Sequence, residues 1–153
     1  MKRIRITKEF CFEMAHALKH HDGPCKHIHG HSYKLEVTVL GTVLNDPQSP
    51  KQGMVMDFSD LKQLVQKHII AKLDHALVLC EADIPEFNPE GPLFEKLVRV
   101  DYQPTCENLL LDFASTLHKQ LSQKVKLVQL TLHETPTSQA TWCCDDNEFP
   151  GNL

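Results

Sequence analysis

Hydrophobic residues between positions 2 and 13 fall on alternate positions. Ile4, Ile6, Phe10 and Phe12 share one face, with Arg3, Arg5 and Glu9 opposite. That period of two predicts a strand with one buried face. The alternation returns over 31–43 through Leu35, Val37 and Val39, in a stretch rich in β-branched residues. Asn45-Asp46-Pro47 and Pro50-Lys51-Gln52-Gly53 are turn chemistry, and Met54-Val55-Met56 can form a short strand. At Asp57 the period lengthens. Phe58, Leu61, Leu64, Val65, His68 and Ile69 recur at helical spacing, with Asp57 as N-cap, Asp60 in the capping-box position and an end near Leu73. Residues 83–104 hold four prolines and read as a long loop with one short strand at Leu97–Val100. Thr105 then caps a second helix, whose apolar stripe is Leu109, Leu110, Phe113, Ala114, Leu117 and Leu121. Val128, Leu130 and Leu132 mark a third long strand, 139–144 a fourth, and the tail from Asp145 reads as loose.

The order strand, strand, helix, helix, strand, strand favours an α+β fold with a four-stranded antiparallel sheet and both helices on one face. Two sheet edges are then left open, so a multi-chain assembly is expected. The 153 residues suit one domain over 1–153, and 41% hydrophobic with 24% charged residues is ordinary for a globular protein. The net charge of -4 gives no electrostatic reason to expect nucleic acid. No run reaches the length of a membrane span, and Met-Lys-Arg-Ile-Arg-Ile-Thr-Lys-Glu has no apolar signal core. Cysteines 11, 25, 80, 106, 143 and 144 form no CxxC pair, so free thiols in a reducing cytoplasm are the expectation.

The strongest chemical pattern is His29-Gly30-His31. In extended chain, residues i and i+2 point the same way, so two imidazoles project in parallel, while Gly30 leaves space for close approach. His16 ends the first strand, and pairing with the second brings it beside that pair. Three imidazoles with a fourth position open are the donor set of a catalytic zinc. Cys25, four residues before His29, is open to two readings: a thiolate base activated by its surroundings, or a fourth ligand that closes a structural site. Asp74-His75, just after the first helix, can form a proton relay or be solvated. Glu134 follows Val128, Leu130 and Leu132 in parity. There it either faces the buried side, where a ligand with two N–H donors would satisfy it, or points to water. Lys19, His20, His21, Lys26 and His27 form a basic cluster that could attract phosphate.

Taken in order, Phe12-x-x-Ala15-His16, Cys25-x-x-x-His29-Gly30-His31, Asp57-Phe58, Leu73-Asp74-His75, Pro104-Thr105-x-Glu107-Asn108 and His133-Glu134-Thr135 resemble the signature set of the 6-pyruvoyltetrahydropterin and 6-carboxytetrahydropterin synthases. The resemblance spans nearly the whole chain. It implies zinc on His16, His29 and His31, and Cys25 as catalytic base rather than ligand. It implies His75, supported by Asp74, and Glu134 in proton relay. Glu134 also matches the residue that anchors the pterin ring, and Glu107 and Thr105 fall in a segment bordering the pterin pocket. The short spacer Lys26-His27-Ile28 resembles the carboxy-product enzymes of queuosine and 7-deazaguanine synthesis more than the pyruvoyl synthases. The implied fold is the tunnelling fold, whose subunits pair edges into barrels, as a homo-oligomer of two stacked trimers. The implied substrate is 7,8-dihydroneopterin triphosphate. The stretch Leu79–Gln103 is longer than in compact relatives and is expected to reshape the pocket rim or an interface.

Overall fold

In a computed structural model, which describes residues 2–147, strands β1 (Arg3–His16) and β2 (His29–Thr42) form a long antiparallel hairpin. Its register runs unbroken from Arg3 opposite Thr42 to His16 opposite His29. Partners across an antiparallel ladder share a face. Phe10 with Leu35 and Phe12 with Tyr33 are therefore buried together, while Glu9, Glu13, Lys34 and Glu36 lie on the other face.

Helix α1 (Phe58–Val65) begins at Asp57, whose Oδ1 accepts the Ser59 N–H at 2.8 Å. Asp60 is not spent on capping; it pairs with Lys51. The helical path continues through a π-helical stretch (Gln66–Ile70) and a last turn (Ala71–Leu73), ending where the pattern predicts. Helix α2 (Cys106–Gln120) is capped by Thr105, whose hydroxyl accepts the Asn108 N–H at 3.3 Å. Leu61, Val65, Ile69, Leu109, Phe113 and Leu117 join Phe10, Phe12, Leu35, Val37, Leu130 and Leu132 in one core cluster, so both helices cover the same sheet face. Met54-Val55-Met56 is not a strand; Val55 and Met56 pack against that core from a bend.

The α+β class holds, but the sheet differs from the four-stranded antiparallel expectation. It has six strands, adding β3 (Ala76–Cys80) and β4 (Leu97–Val100) to β1, β2, β5 (Val125–Thr135) and β6 (Ser138–Cys143), in the order β4-β3-β1-β2-β5-β6. β3 runs parallel to β1 and to β4, so the sheet is mixed. The segment 79–103 is accordingly not a bare loop. It contains the end of β3, short helical turns at Glu81–Asp83, Ile84–Phe87 and Pro92–Phe94, and β4. Of the tail read as loose, Cys144–Asp146 forms a turn and residues 148–153 lie outside the described residues. Among the described residues, no helix is long and apolar enough to cross a membrane.

Candidate metal centre and active site

The loop end of the β1–β2 hairpin gathers the histidines. His16 pairs directly with His29, and Met14 with His31, which places all three imidazoles on the helix-covered face. Their ligand nitrogens lie within 4.8 Å of one another. His16 Nδ1 lies 2.7 Å from the Pro104 carbonyl, and His29 Nδ1 lies 2.7 Å from the His27 carbonyl. A carbonyl can only accept, so each Nδ1 carries the proton and donates, and each Nε2 presents a lone pair. Those two Nε2 atoms face each other at 3.1 Å. Two lone pairs at that distance repel unless a cation lies between them. Nitrogens about 2.0–2.1 Å from one tetrahedral ion stand about 3.3 Å apart, close to the observed separation. The Nε2 of His31 is buried with no hydrogen-bond partner, and an unsatisfied buried ring nitrogen calls for a ligand. The residues fit a three-histidine zinc site.

Burial pushes the pKa values of His16 and His31 below the ordinary histidine value, and the nearby His29 adds to the effect in both. Neutral imidazoles are the form a metal needs. Glu134 Oε1 lies 3.5 Å from His31 Nε2 and 3.7 Å from His16 Nε2. Its position on β5, two residues after Leu132 and on the same parity, explains this: that parity carries it to the histidines. The Tyr33 hydroxyl donates to Glu134 Oε1 at 3.4 Å, and burial followed by the Glu134 charge raises its pKa, keeping the phenol protonated. Tyr33 was not singled out from sequence. The available signal was a tyrosine on a buried strand parity, whose hydroxyl needs a partner. An open cavity of about 620 Å³ beside the centre is lined by Gly30, His31, Lys34, His133 and Glu134 among others, a size suited to a small heterocycle. A Cβ on Gly30 would sit 3.4 Å from the Met14 carbonyl, an ordinary contact, so no close approach within the chain demands this glycine.

Cys25 sits half-buried on a 3₁₀ turn (Pro24–Lys26) and is not among the converging ligand atoms. It is near enough to Tyr33 to raise that hydroxyl's pKa electrostatically. Asp74 and His75 form the expected pair, with His75 Nδ1 3.1 Å from Asp74 Oδ1. The pair is fastened to β1 elsewhere: Asp74 Oδ1 accepts the Glu13 N–H at 2.9 Å, and the His75 N–H donates to the Glu13 carbonyl at 2.6 Å. That Glu13 hydrogen bond is the chief reason the Asp74 pKa is lowered. His75 is 76% exposed, and no contact of the pair reaches the histidine cluster. Glu107 is exposed beside a second cavity of about 210 Å³ with Leu110, Ala140 and Trp142, while Thr105 is occupied as a helix cap. In the basic cluster, Lys19 pairs with Glu86 and His20 faces Asp83, so these two are already engaged.

A profile of the 6-pyruvoyl tetrahydropterin synthase family matches residues 5–143. The chain belongs to this family. Among its relatives, a 6-carboxy-5,6,7,8-tetrahydropterin synthase of Haemophilus influenzae is 36% identical over 139 residues, 88% of this chain and 95% of that protein. A 6-carboxy-5,6,7,8-tetrahydropterin synthase of Rickettsia conorii is 30% identical over 136 residues, 87% of this chain and 95% of that one. In fold, a Wolinella succinogenes protein superposes with a TM-score of 0.76 at 21% identity, over 94% of this chain and 99% of that one. The 6-pyruvoyl tetrahydropterin synthase of Caenorhabditis elegans superposes at 0.65 with 26% identity, over 94% and 96%. The family is one of pterin lyases, whose substrate is a small-molecule pterin.

Proposed function

We propose that this chain is a zinc-dependent 6-carboxy-5,6,7,8-tetrahydropterin synthase of the cytoplasm, serving queuosine and 7-deazaguanine synthesis. It converts 7,8-dihydroneopterin triphosphate and one water to 6-carboxy-5,6,7,8-tetrahydropterin, acetaldehyde and triphosphate. The observation that carries the reading is the convergence of three imidazoles, two locked by backbone carbonyls and the third without a hydrogen-bond partner, with the Cys25 thiol outside the ligand set. The match to carboxy-product relatives supports the choice of product.

His16, His29 and His31 hold the metal, which when bound supplies a Lewis acid that eases negative charge on the substrate's side-chain oxygens. Cys25 takes a carbon-bound proton from that side chain. Glu134, a few ångströms from two of the ligands, relays protons and meets the N–H donors of the pterin. Glu107 and Thr105 border the ring from the start of α2. No redox cofactor is needed, because oxidation of the side chain balances reduction of the ring. Asp74 and His75 are fastened beside Glu13, whose side chain points away from the face of His16. They serve as proton relay, in a homo-oligomer built as two stacked trimers whose sites can draw residues from neighbouring copies. Each chain is one domain over 1–153.

Incubation of purified protein with 7,8-dihydroneopterin triphosphate, followed by mass spectrometry, tests the reading. The carboxy product with acetaldehyde supports it. The 6-pyruvoyl product would favour the other branch, for which the family profile itself speaks. Bound zinc without any turnover would favour a non-catalytic zinc-stabilised binding protein.

A further inference from the structure

Residues 17–28 cross from β1 to β2 and carry Cys25. The loop is shaped from within: the Leu18 N–H donates to the Cys25 carbonyl at 2.9 Å, the His21 N–H to the Leu18 carbonyl at 3.0 Å, and the Gly23 N–H to His21 Nδ1 at 2.8 Å. Those bonds fix its form, while the His27 carbonyl, bonded to His29 Nδ1, and the buried Ala17 tie its two ends to the strands. Two side-chain contacts from its middle reach the 79–103 segment. Lys19 pairs with Glu86, and His20 Nε2 lies 3.9 Å from Asp83 Oδ1.

Asp83 is 3% exposed. A carboxylate so buried is costly unless paired. Its Oδ2 accepts the Gln103 side-chain N–H at 2.6 Å, and its other oxygen faces His20. Gln103 is anchored in turn, since its carbonyl accepts the Thr105 N–H at 2.7 Å and the Asn108 side-chain N–H at 3.0 Å. The next residue, Pro104, gives its carbonyl to His16 Nδ1. One buried carboxylate thus stands between the loop that carries the thiol and the segment that aims a metal ligand.

We propose that Asp83 is a positioning residue for Cys25, holding the 17–28 loop through His20 against an anchor at Gln103, with Lys19 and Glu86 as a second, outer fastening. The proposal rests on the reading of Cys25 as the base. The 79–103 segment then has a use: it reaches across to set the thiol's place.

The test compares the alkylation rate of Cys25 by iodoacetamide, read by peptide mass spectrometry, with that of the exposed Cys11 in the same molecule. Asp83→Asn keeps the shape and an acceptor for Gln103 but removes the charge facing His20. It is expected to raise the Cys25-to-Cys11 ratio and to lower kcat about tenfold, as slight misplacement of a catalytic group does. KM should stay near the wild-type value and zinc content should be unchanged. Lys19→Glu should raise the ratio about two- to fivefold, the reach of an exposed ion pair, and Glu86→Lys added to it should restore the ratio. That surface pair decides the matter if Asp83→Asn folds poorly. An unchanged ratio in Asp83→Asn and Lys19→Glu overturns the proposal. Absence of turnover in the unaltered protein would instead count against the proposed reaction, while the alkylation ratio still reports on the fastening.

Discussion

Replacing Cys25 with alanine separates a base from a ligand. The Cys25 sulfur stands outside the group of converging histidine nitrogens, so the variant is expected to keep about one zinc per chain, as a three-histidine site would. The loop should keep its shape, because the bond from the Leu18 N–H goes to the Cys25 backbone carbonyl, which alanine retains. Loss of one half-buried sulfur should cost about 1 kcal/mol of stability or less. Turnover, by contrast, should fall by roughly 10²–10⁴, about 2.7–5.5 kcal/mol of barrier, as removal of a general base does. The assay pairs metal analysis of the purified variant with product formation from 7,8-dihydroneopterin triphosphate. Zinc lost together with activity would refute the reasoning and make Cys25 a structural ligand. Undiminished turnover would refute it from the other side.

Other outcomes follow from the same geometry. His29→Ala should fold but fail to retain metal, measured by dialysis against zinc and elemental analysis. The metal-free protein should lose stability as pH falls below about 6.5, because the folded state holds His16 and His31 at pKa values under that of the unfolded chain. The unfolded chain then binds more protons, so stability is present above that pH and fades as the folded pKa values are passed. Urea midpoints at two pH values check this, and His16→Asn should weaken the dependence. Gly41→Ala should destabilise by about 1–3 kcal/mol without touching the metal site, because overpacking forces its neighbours apart. Its Cβ would meet Val55 Cγ1 at 2.7 Å and the Lys124 carbonyl at 3.3 Å, as denaturation at fixed zinc would register.

Much of this was legible in the sequence where one face is wet. β1 and β2 alternate because their second face is polar, and the change of period at Asp57 marks α1. β3 was not legible. Ala-Leu-Val-Leu-Cys is almost wholly buried between β1 and β4, so it has no alternation and follows a helix as one more apolar run. The chain enters it through His75 at a φ of 60°, a conformation that no local residue pattern announces. The histidine triad was readable because two strands carry it and their register follows from the hairpin. Tyr33 and the Pro104 carbonyl were not, since one looks like core and the other belongs to the backbone. Nor does spacing reveal that Asp74 and His75 clasp Glu13 rather than meet Cys25.

Zinc K-edge X-ray absorption on the metal-loaded protein tests the centre most directly. The account predicts three imidazole nitrogens at about 2.0–2.1 Å, a light atom in the remaining position, and no sulfur near 2.3 Å. A sulfur neighbour, or a protein that binds no zinc at all, would contradict it.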